Sequence, residues 1–352
     1  MGRDAGDARG SPALSPRRHD SRSDEDDVRV RPSRRGSRPR TRTRPMHSDA
    51  VPGLVVAVDR GRMTVRIEGP DGVPLEVTAM RARELGRHGV VVGDRVRLVG
   101  DTSGRPDTLA RIVVIEDRTT SLRRTADDTD PTERVVVANA DQLVIVTAVA
   151  NPDPALGFLD RCVVAAYAGG LEPLLCLTKT DLASPQPLLD RYAGLEVDAV
   201  PMSREAPLDP LLERLHGRMS VLVGQSGVGK STLVNRLVPD ADRATGEVTK
   251  VGKGRHTSSS AVLLDLPGGG TVIDTPGIRS FGLAHVTAED VVAAFDDVAE
   301  AAVDCPPGCG HTAEDPDCAL DAWAGAGPPA RRERLESLRR LLDAVGQLGP
   351  GY

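Results

Sequence analysis

Gly224-Gln225-Ser226-Gly227-Val228-Gly229-Lys230-Ser231 is the stretch on which the fold turns. It fits G-x-x-x-x-G-K-[ST], and it sits in the context that gives the pattern physical meaning. An apolar run, Met219–Val223, reads as the strand before it, and Lys230–Leu237 reads as the helix after it. Glycines let backbone N–H groups curl around phosphate oxygens, and the helix N-terminus adds the positive end of its dipole. In this reading Lys230 reaches the β- and γ-phosphates and Ser231 coordinates magnesium. Gln225, Ser226, Gly227, Val228, Gly229 and Thr232 complete the phosphate-side set with Gly224.

Two shorter motifs flank it. Upstream, Thr178-Lys179-Thr180-Asp181 fits [NT]-K-x-D and follows the predicted strand Leu174–Thr178. A carboxylate at Asp181 can accept hydrogen bonds from guanine N1–H and the exocyclic amine, a charge-assisted pair that adenine cannot supply. Ser203 follows the next predicted strand, Val197–Met202, where a second guanine-contacting loop belongs. Downstream, Asp274-Thr275-Pro276-Gly277 ends the strand Thr271–Asp274. Asp274 is placed to hold magnesium through water, and the Gly277 N–H to meet the γ-phosphate. In an ordinary GTPase the phosphate loop leads and the guanine reader follows. The order here is rotated, which predicts an α/β, circularly permuted P-loop GTPase domain.

Hydrolysis needs an oriented water. Many GTPases place a glutamine after the glycine of the D-x-x-G motif; here that position is Ile278. His256, in Lys253-Gly254-Arg255-His256-Thr257, is the nearest candidate for the missing role, with a structural or RNA-facing histidine as its alternative. Thr257 is the candidate switch threonine on magnesium. Lysine usage points the same way. Of 45 basic residues only Lys179, Lys230, Lys250 and Lys253 are lysines, and all four lie in or between these motifs.

The rest of the 352 residues divides around this domain. Residues 1–49 are rich in Arg, Ser, Asp and Pro and poor in bulky apolar residues, which predicts a disordered tail. Within it, residues 28–46 carry eight arginines and no acid, a stretch able to meet phosphate backbone. Residues 50–116 hold five short valine-rich segments separated by glycine turns, the pattern of an OB-type barrel. The barrel segment has no Phe, Tyr or Trp, so RNA contact there would rest on Arg60, Arg62, Arg66, Arg81, Arg83 and Arg87. Residues 117–133 read as a linker and 134–283 as the GTPase domain. Residues 284–352 form a third unit, helical and metal-binding, in which Leu335, Leu338, Leu342 and Val345 fall on one face of a predicted helix, Arg331–Val345, as core packing.

That third unit contains Cys305-x3-Cys309-x-His311-x6-Cys318. Three thiolates and an imidazole make a recognised closed set for one structural zinc ion. Five cysteines in 352 residues, an odd and low number with three of them close together on the C-terminal side, argue for a reducing compartment and a metal site over a disulfide framework. A net charge of −6 excludes a uniformly basic nucleic-acid binder. No apolar run spans a membrane and no signal-peptide pattern opens the chain, so the cytoplasm is the expected compartment.

Together these features resemble the bacterial ribosome small subunit-dependent GTPase family. The resemblance runs from about Val51 to the C-terminal helix and rests on the barrel, Asn139-Ala-Asp141, the T-K-x-D ahead of the P-loop, Gly224–Ser231, Gly254–Thr257, Asp274–Gly277 and the Cys-Cys-His-Cys cluster. It implies an OB barrel, a permuted GTPase domain and a zinc domain, acting as a monomer with GTP/GDP, Mg2+ and the small ribosomal subunit and its rRNA as partners, with the subunit stimulating turnover. Thr178 in place of asparagine, Ser258 in place of a second threonine, and the cysteine spacing depart from the family pattern. Two other readings compete: a P-loop ATPase or kinase, against which Asp181 argues, and an RNA-binding module holding a static nucleotide, to which Ile278 gives weight.

Overall fold

The computed structural model describes residues 47–85, 89–127, 130–195, 197–239, 261–275, 283 and 286–346. The tail expected over 1–49 therefore lies, through residue 46, outside the described residues, as do Arg87, His256, Thr257, Gly277 and Ile278.

Period-two alternation builds the first layer. Strands β1 (Val51–Asp59), β2 (Arg62–Glu68), β3 (Pro74–Arg81), β4 (Arg95–Gly100) and β5 (Ala110–Ile115) bury Val55, Val65, Val77, Ala79, Leu98 and Ile112 and expose Arg62, Glu76, Arg95 and Arg97. The strands run in the order β1-β2-β3-β5-β4, and β4 returns to β1, with Leu98 opposite Val51. The sheet closes on itself, so the expected barrel is present, and β4 covers the edge of β1 over Val51–Leu54 only.

Residues 117–133 are not the linker that their polar composition predicts. Strand β6 (Ser121–Asp127) pairs antiparallel with β7 (Asp130–Ala138), with Leu122 opposite Val137. Both of those side chains are fully buried, against Val92 of the barrel and Leu143 beyond it. Two inserted apolar residues and a cross-strand ladder hold the hairpin, and neither gives an alternating signal over the polar run.

The second layer is β8 (Gln142–Ala148), β9 (Glu172–Thr178), β10 (Asp198–Pro201), β11 (Met219–Gly224), β12 (Val262–Asp265) and β13 (Thr271–Asp274), ordered β10-β9-β8-β11-β13-β12. All are parallel except β12, which runs antiparallel to β13. Strands covered on both faces read as near-continuous apolar runs, and β8 is buried at all seven positions. Leu143, Ile145, Leu175, Leu177 and Val221 face helices α1 (Leu156–Ala168) and α2 (Gln186–Ala193). Val144, Val146, Leu174, Cys176 and Leu222 face α3 (Asp209–Leu215) and α4 (Lys230–Leu237).

Barrel and sheet are continuous. β1 pairs with β12 at Ala57 and Val262, and Arg66 of β2 forms an ion pair with Asp265 of β12 at 2.8 Å. At the other end of the junction Asn139, in the left-handed region (φ 56), donates from Nδ2 to the Gly93 carbonyl and accepts from the Thr119 N–H, each at 2.9 Å.

The C-terminal helices pack on the α1/α2 face. Two short helices come first: α5 (Ala288–Val292), opened by a Thr287/Asp290 capping box, and α6 (Asp296–Ala302). Phe295 sits extended between them and stacks edge-on against Tyr167 of α1. Then come α7 (Ala319–Ala326) and α8 (Pro329–Gly346). Leu335, Leu338, Leu341 and Leu342 of α8 are buried in the same cluster as α1, so the apolar face read from the sequence is core. Asp160 of α1 accepts from Arg191 Nη2 at 2.6 Å and Tyr192 Oη at 2.8 Å, and Arg340 of α8 lies at 3.4 Å.

Candidate functional site

The loops at the carboxyl ends of β8, β9, β10, β11 and β13 lie side by side, and the crevice outside those ends is where open α/β sheets bind ligands. β11 runs straight into the phosphate-loop candidate. Gly227 (φ 83) and Gly229 (φ 97) adopt left-handed conformations that side chains disfavour, and α4 starts at Lys230. Val228 points into the core, while Ser226, Ser231 and Thr232 are exposed at the start of the helix and Gln225 is half-buried.

Two contacts tie this loop to its neighbours. The Lys230 ammonium donates to Asp274 Oδ1, which puts the candidate phosphate cation beside the candidate magnesium-side carboxylate. Thr275, next in the chain, is buried and donates from its hydroxyl to the Leu222 carbonyl at 2.7 Å, fixing the exit of β13 against β11. On the other side, the buried Thr178 hydroxyl donates to the Val228 carbonyl at 2.6 Å, with the Thr147 carbonyl at 3.2 Å. Lys179, left-handed at φ 59, donates from Nζ to the Gly227 carbonyl at 2.8 Å and to the Asn151 carbonyl. Asp181 stays exposed. The Thr180 N–H donates to the Met202 carbonyl at 3.2 Å, which brings Ser203 beside the T-K-x-D loop.

The structure thus gathers Thr178, Lys179, Asp181, Ser203, Gly224–Thr232 and Asp274 around one crevice. Asp141 belongs elsewhere: its Oδ2 accepts the Met219 N–H at 2.6 Å and anchors the opposite end of the sheet. Asn151 leaves no signature in the sequence, because it serves through a backbone carbonyl, and the D-T-P-G pattern does not reveal that the Thr275 hydroxyl is turned to Leu222.

The second candidate site is the cysteine–histidine cluster. The ligand atoms of Cys305, Cys309, His311 and Cys318 all lie within 4.8 Å of one another, and the four could hold a metal ion. Cys305 Sγ is 3.5 Å from His311 Nδ1 and 4.0 Å from Cys318 Sγ, and Cys318 Sγ is 3.9 Å from that nitrogen. A tetrahedral ion with metal–sulfur bonds of about 2.3 Å and a metal–nitrogen bond of about 2.0 Å needs edges of about 3.5–3.8 Å, so the donor set fits. A left-handed His311 (φ 58) turns the loop so that both termini of the motif converge. Arg339 of α8 braces it, donating to the His311 carbonyl at 3.1 Å and twice to Asp321. Those bonds hold the Asp321 carboxyl below its ordinary range. Cys162 and Cys176 are core residues. Burial pushes the first thiol well up and the second to about 12.

A family model described as RsgA GTPase matches residues 115–284. The small ribosomal subunit biogenesis GTPase RsgA of Pseudomonas syringae pv. tomato is 37% identical over 296 residues, 78% of this chain and 84% of that protein. The chain belongs to the RsgA GTPase family. The RsgA protein of Chlorobaculum tepidum is 38% identical over 269 residues, covering 73% of this chain and 86% of the relative. The solved structure of YjeQ from Thermotoga maritima superposes with a TM-score of 0.63 at 25% identity, over 86% of this chain and all of that one. YloQ, titled a circularly permuted GTPase, shares the fold at a TM-score of 0.62 and 23% identity, over 88% of this chain and 99% of that one. Membership makes this RsgA-family chain a GTP-hydrolysing enzyme and sets aside the ATPase reading. The rotated motif order is that of a circularly permuted GTPase.

Proposed function

We propose that this RsgA-family enzyme hydrolyses GTP in the maturation of the small ribosomal subunit, with the subunit and its rRNA as partners, and that it works as a cytoplasmic monomer. The observation that carries the site assignment is the meeting of Lys230, Asp274 and the T-K-x-D loop on one phosphate loop. The subunit assignment rests on the relatives' names. Among the described residues no helix is long and apolar enough to cross a membrane.

In this reading Asp181 selects guanine, Lys230 offsets charge on the β- and γ-phosphates, and backbone N–H groups of Gly227–Lys230 cradle them. Magnesium, bound with the nucleotide, spreads the charge of the γ-phosphate oxygens; Ser231 and Thr257 would hold it directly and Asp274 through water. Gly277 and, in place of a glutamine, His256 complete the proposed machinery. Cys305, Cys309, His311 and Cys318 would hold one structural zinc ion.

The test is GTP turnover with and without purified small subunits, alongside subunit binding in GDP and in a non-hydrolysable GTP analogue at stated salt. Faster turnover on the subunit and tighter binding of the GTP form are expected; by linkage the subunit then favours GTP over GDP. No stimulation and equal affinities would overturn the coupling of turnover to the subunit.

A further inference from the structure

The T-K-x-D loop has spent its first two side chains on its neighbour. Thr178 has one hydroxyl hydrogen, and two carbonyls face it: Val228 at 2.6 Å and Thr147 at 3.2 Å. Both can only accept, so the hydrogen is committed to the protein. Thr178 is itself buried. The Lys179 ammonium is likewise turned to two carbonyls, Gly227 and Asn151.

Guanine presents two kinds of edge. N1–H and the exocyclic amine donate, and N7 and O6 only accept. A carboxylate serves the first edge and a donor must serve the second. An asparagine amide carries two N–H bonds and a carbonyl, enough to hold a loop carbonyl and still donate to a base. A threonine hydroxyl cannot do both, and its lone pairs gain nothing from facing another acceptor.

We infer that Thr178 is a positioning residue that holds the phosphate loop through the Val228 carbonyl, and that the chain consequently reads guanine without a donor to N7. This rests on the proposed assignment of residues 178–181 as the base reader. Its consequence is a nucleotide specificity that differs from that of an asparagine-bearing site: 7-deazaguanine nucleotides, which lack N7 and keep every other polar group, are as good as the natural ones.

The experiment measures affinity of the full chain for GDP, 7-deaza-GDP and xanthosine diphosphate by calorimetry. Wild type is expected to bind GDP and 7-deaza-GDP within about twofold. Thr178→Val should weaken both equally, by about tenfold, because it leaves the buried Val228 carbonyl unpaired. Thr178→Ser, which keeps the hydroxyl, should stay close to wild type and covers the case in which the valine variant fails to fold. Thr178→Asn should open a gap in favour of GDP over 7-deaza-GDP, which a merely structural residue would not do. A wild-type preference for GDP over 7-deaza-GDP of tenfold or more, or no gap in the asparagine variant, would overturn the inference. Asp181→Asn separates the two levels of argument. An amide there should turn preference from GDP toward xanthosine diphosphate. If it does while the 7-deaza arm fails, only the role of Thr178 falls; if it does not, the base reader and this inference fall together.

Discussion

Lys230 stands at the first position of α4 with its ammonium on Asp274, so one side chain joins the phosphate loop to the end of β13. Lys230→Ala should lower GTP turnover by at least about 100-fold, the usual cost of removing one transition-state donor, while thermal unfolding stays within a few degrees of wild type. Near-wild-type turnover would remove Lys230 from the site. At this scale the sequence was informative wherever chemistry demands a residue type at a fixed spacing. Spacing singled out the phosphate-loop glycines, Lys230, Ser231, Asp274 and the three clustered cysteines as candidates. Less of the wiring could be read. That the Thr178 hydroxyl meets the Val228 carbonyl depends on the adjacency of β9 and the phosphate loop across 50 residues of chain, and a backbone carbonyl is the same at every position.

Elements were legible in proportion to their burial. β13 matches its prediction end for end, and β9 and β11 lie within a residue or two, because strands covered on both faces keep an unbroken apolar run. The hairpin β6–β7 escaped because its pairing partner, not its composition, makes it a strand, and α7 escaped because Ala-Leu-Asp-Ala-Trp-Ala-Gly-Ala carries little periodicity. The junction between barrel and GTPase sheet gives a sharp test. Gly93 is left-handed (φ 89), and a Cβ there would stand 1.9 Å from the Ala138 carbonyl oxygen. Gly93→Ala should cost about 3 kcal/mol or more, seen as an early unfolding transition in urea. Gly61, left-handed too (φ 84) but with open space around it, is the control. Gly61→Ala should cost only about 1–2 kcal/mol, the penalty of a left-handed alanine with nothing to clash against. Equal costs at the two positions would show that backbone conformation, and not the close approach to β7, sets the penalty.

Across the whole molecule, the metal cluster and the α1/α2 face share one apolar core, with Cys318 and Leu320 packed in the same cluster as α1 and α8. Metal removal is therefore expected to destabilise more than its own loop. Chelation should lower the melting temperature of the whole chain and leave nucleotide binding measurable at low temperature, where the sheet is still intact. A short iodoacetamide pulse at pH 8 after chelation should label Cys305, Cys309 and Cys318 and spare Cys162 and Cys176. Alkylation needs a thiolate, and burial holds those two thiols protonated far above that pH. Labelling of all five at once would mean that the fold does not survive metal loss. The cluster was visible in the sequence as a set of ligands; its attachment to α1 was not, because α8, which carries Arg339, is brought to both only by tertiary packing.

The pairing of β1 with β12 also has a consequence in time. The barrel strands are all synthesised by Ile115, but Val262, which lies opposite Ala57, emerges about 200 residues after β1. At roughly 5–20 residues per second that is an interval of about 10–40 s. Throughout it a finished barrel offers one unsatisfied stretch of strand edge, and unpaired edges recruit strands. The barrel is thus a waiting template, and β12, paired in turn with β13, is the strand that docks beside it. For a nascent chain, this order makes the barrel a guide for completing the catalytic sheet.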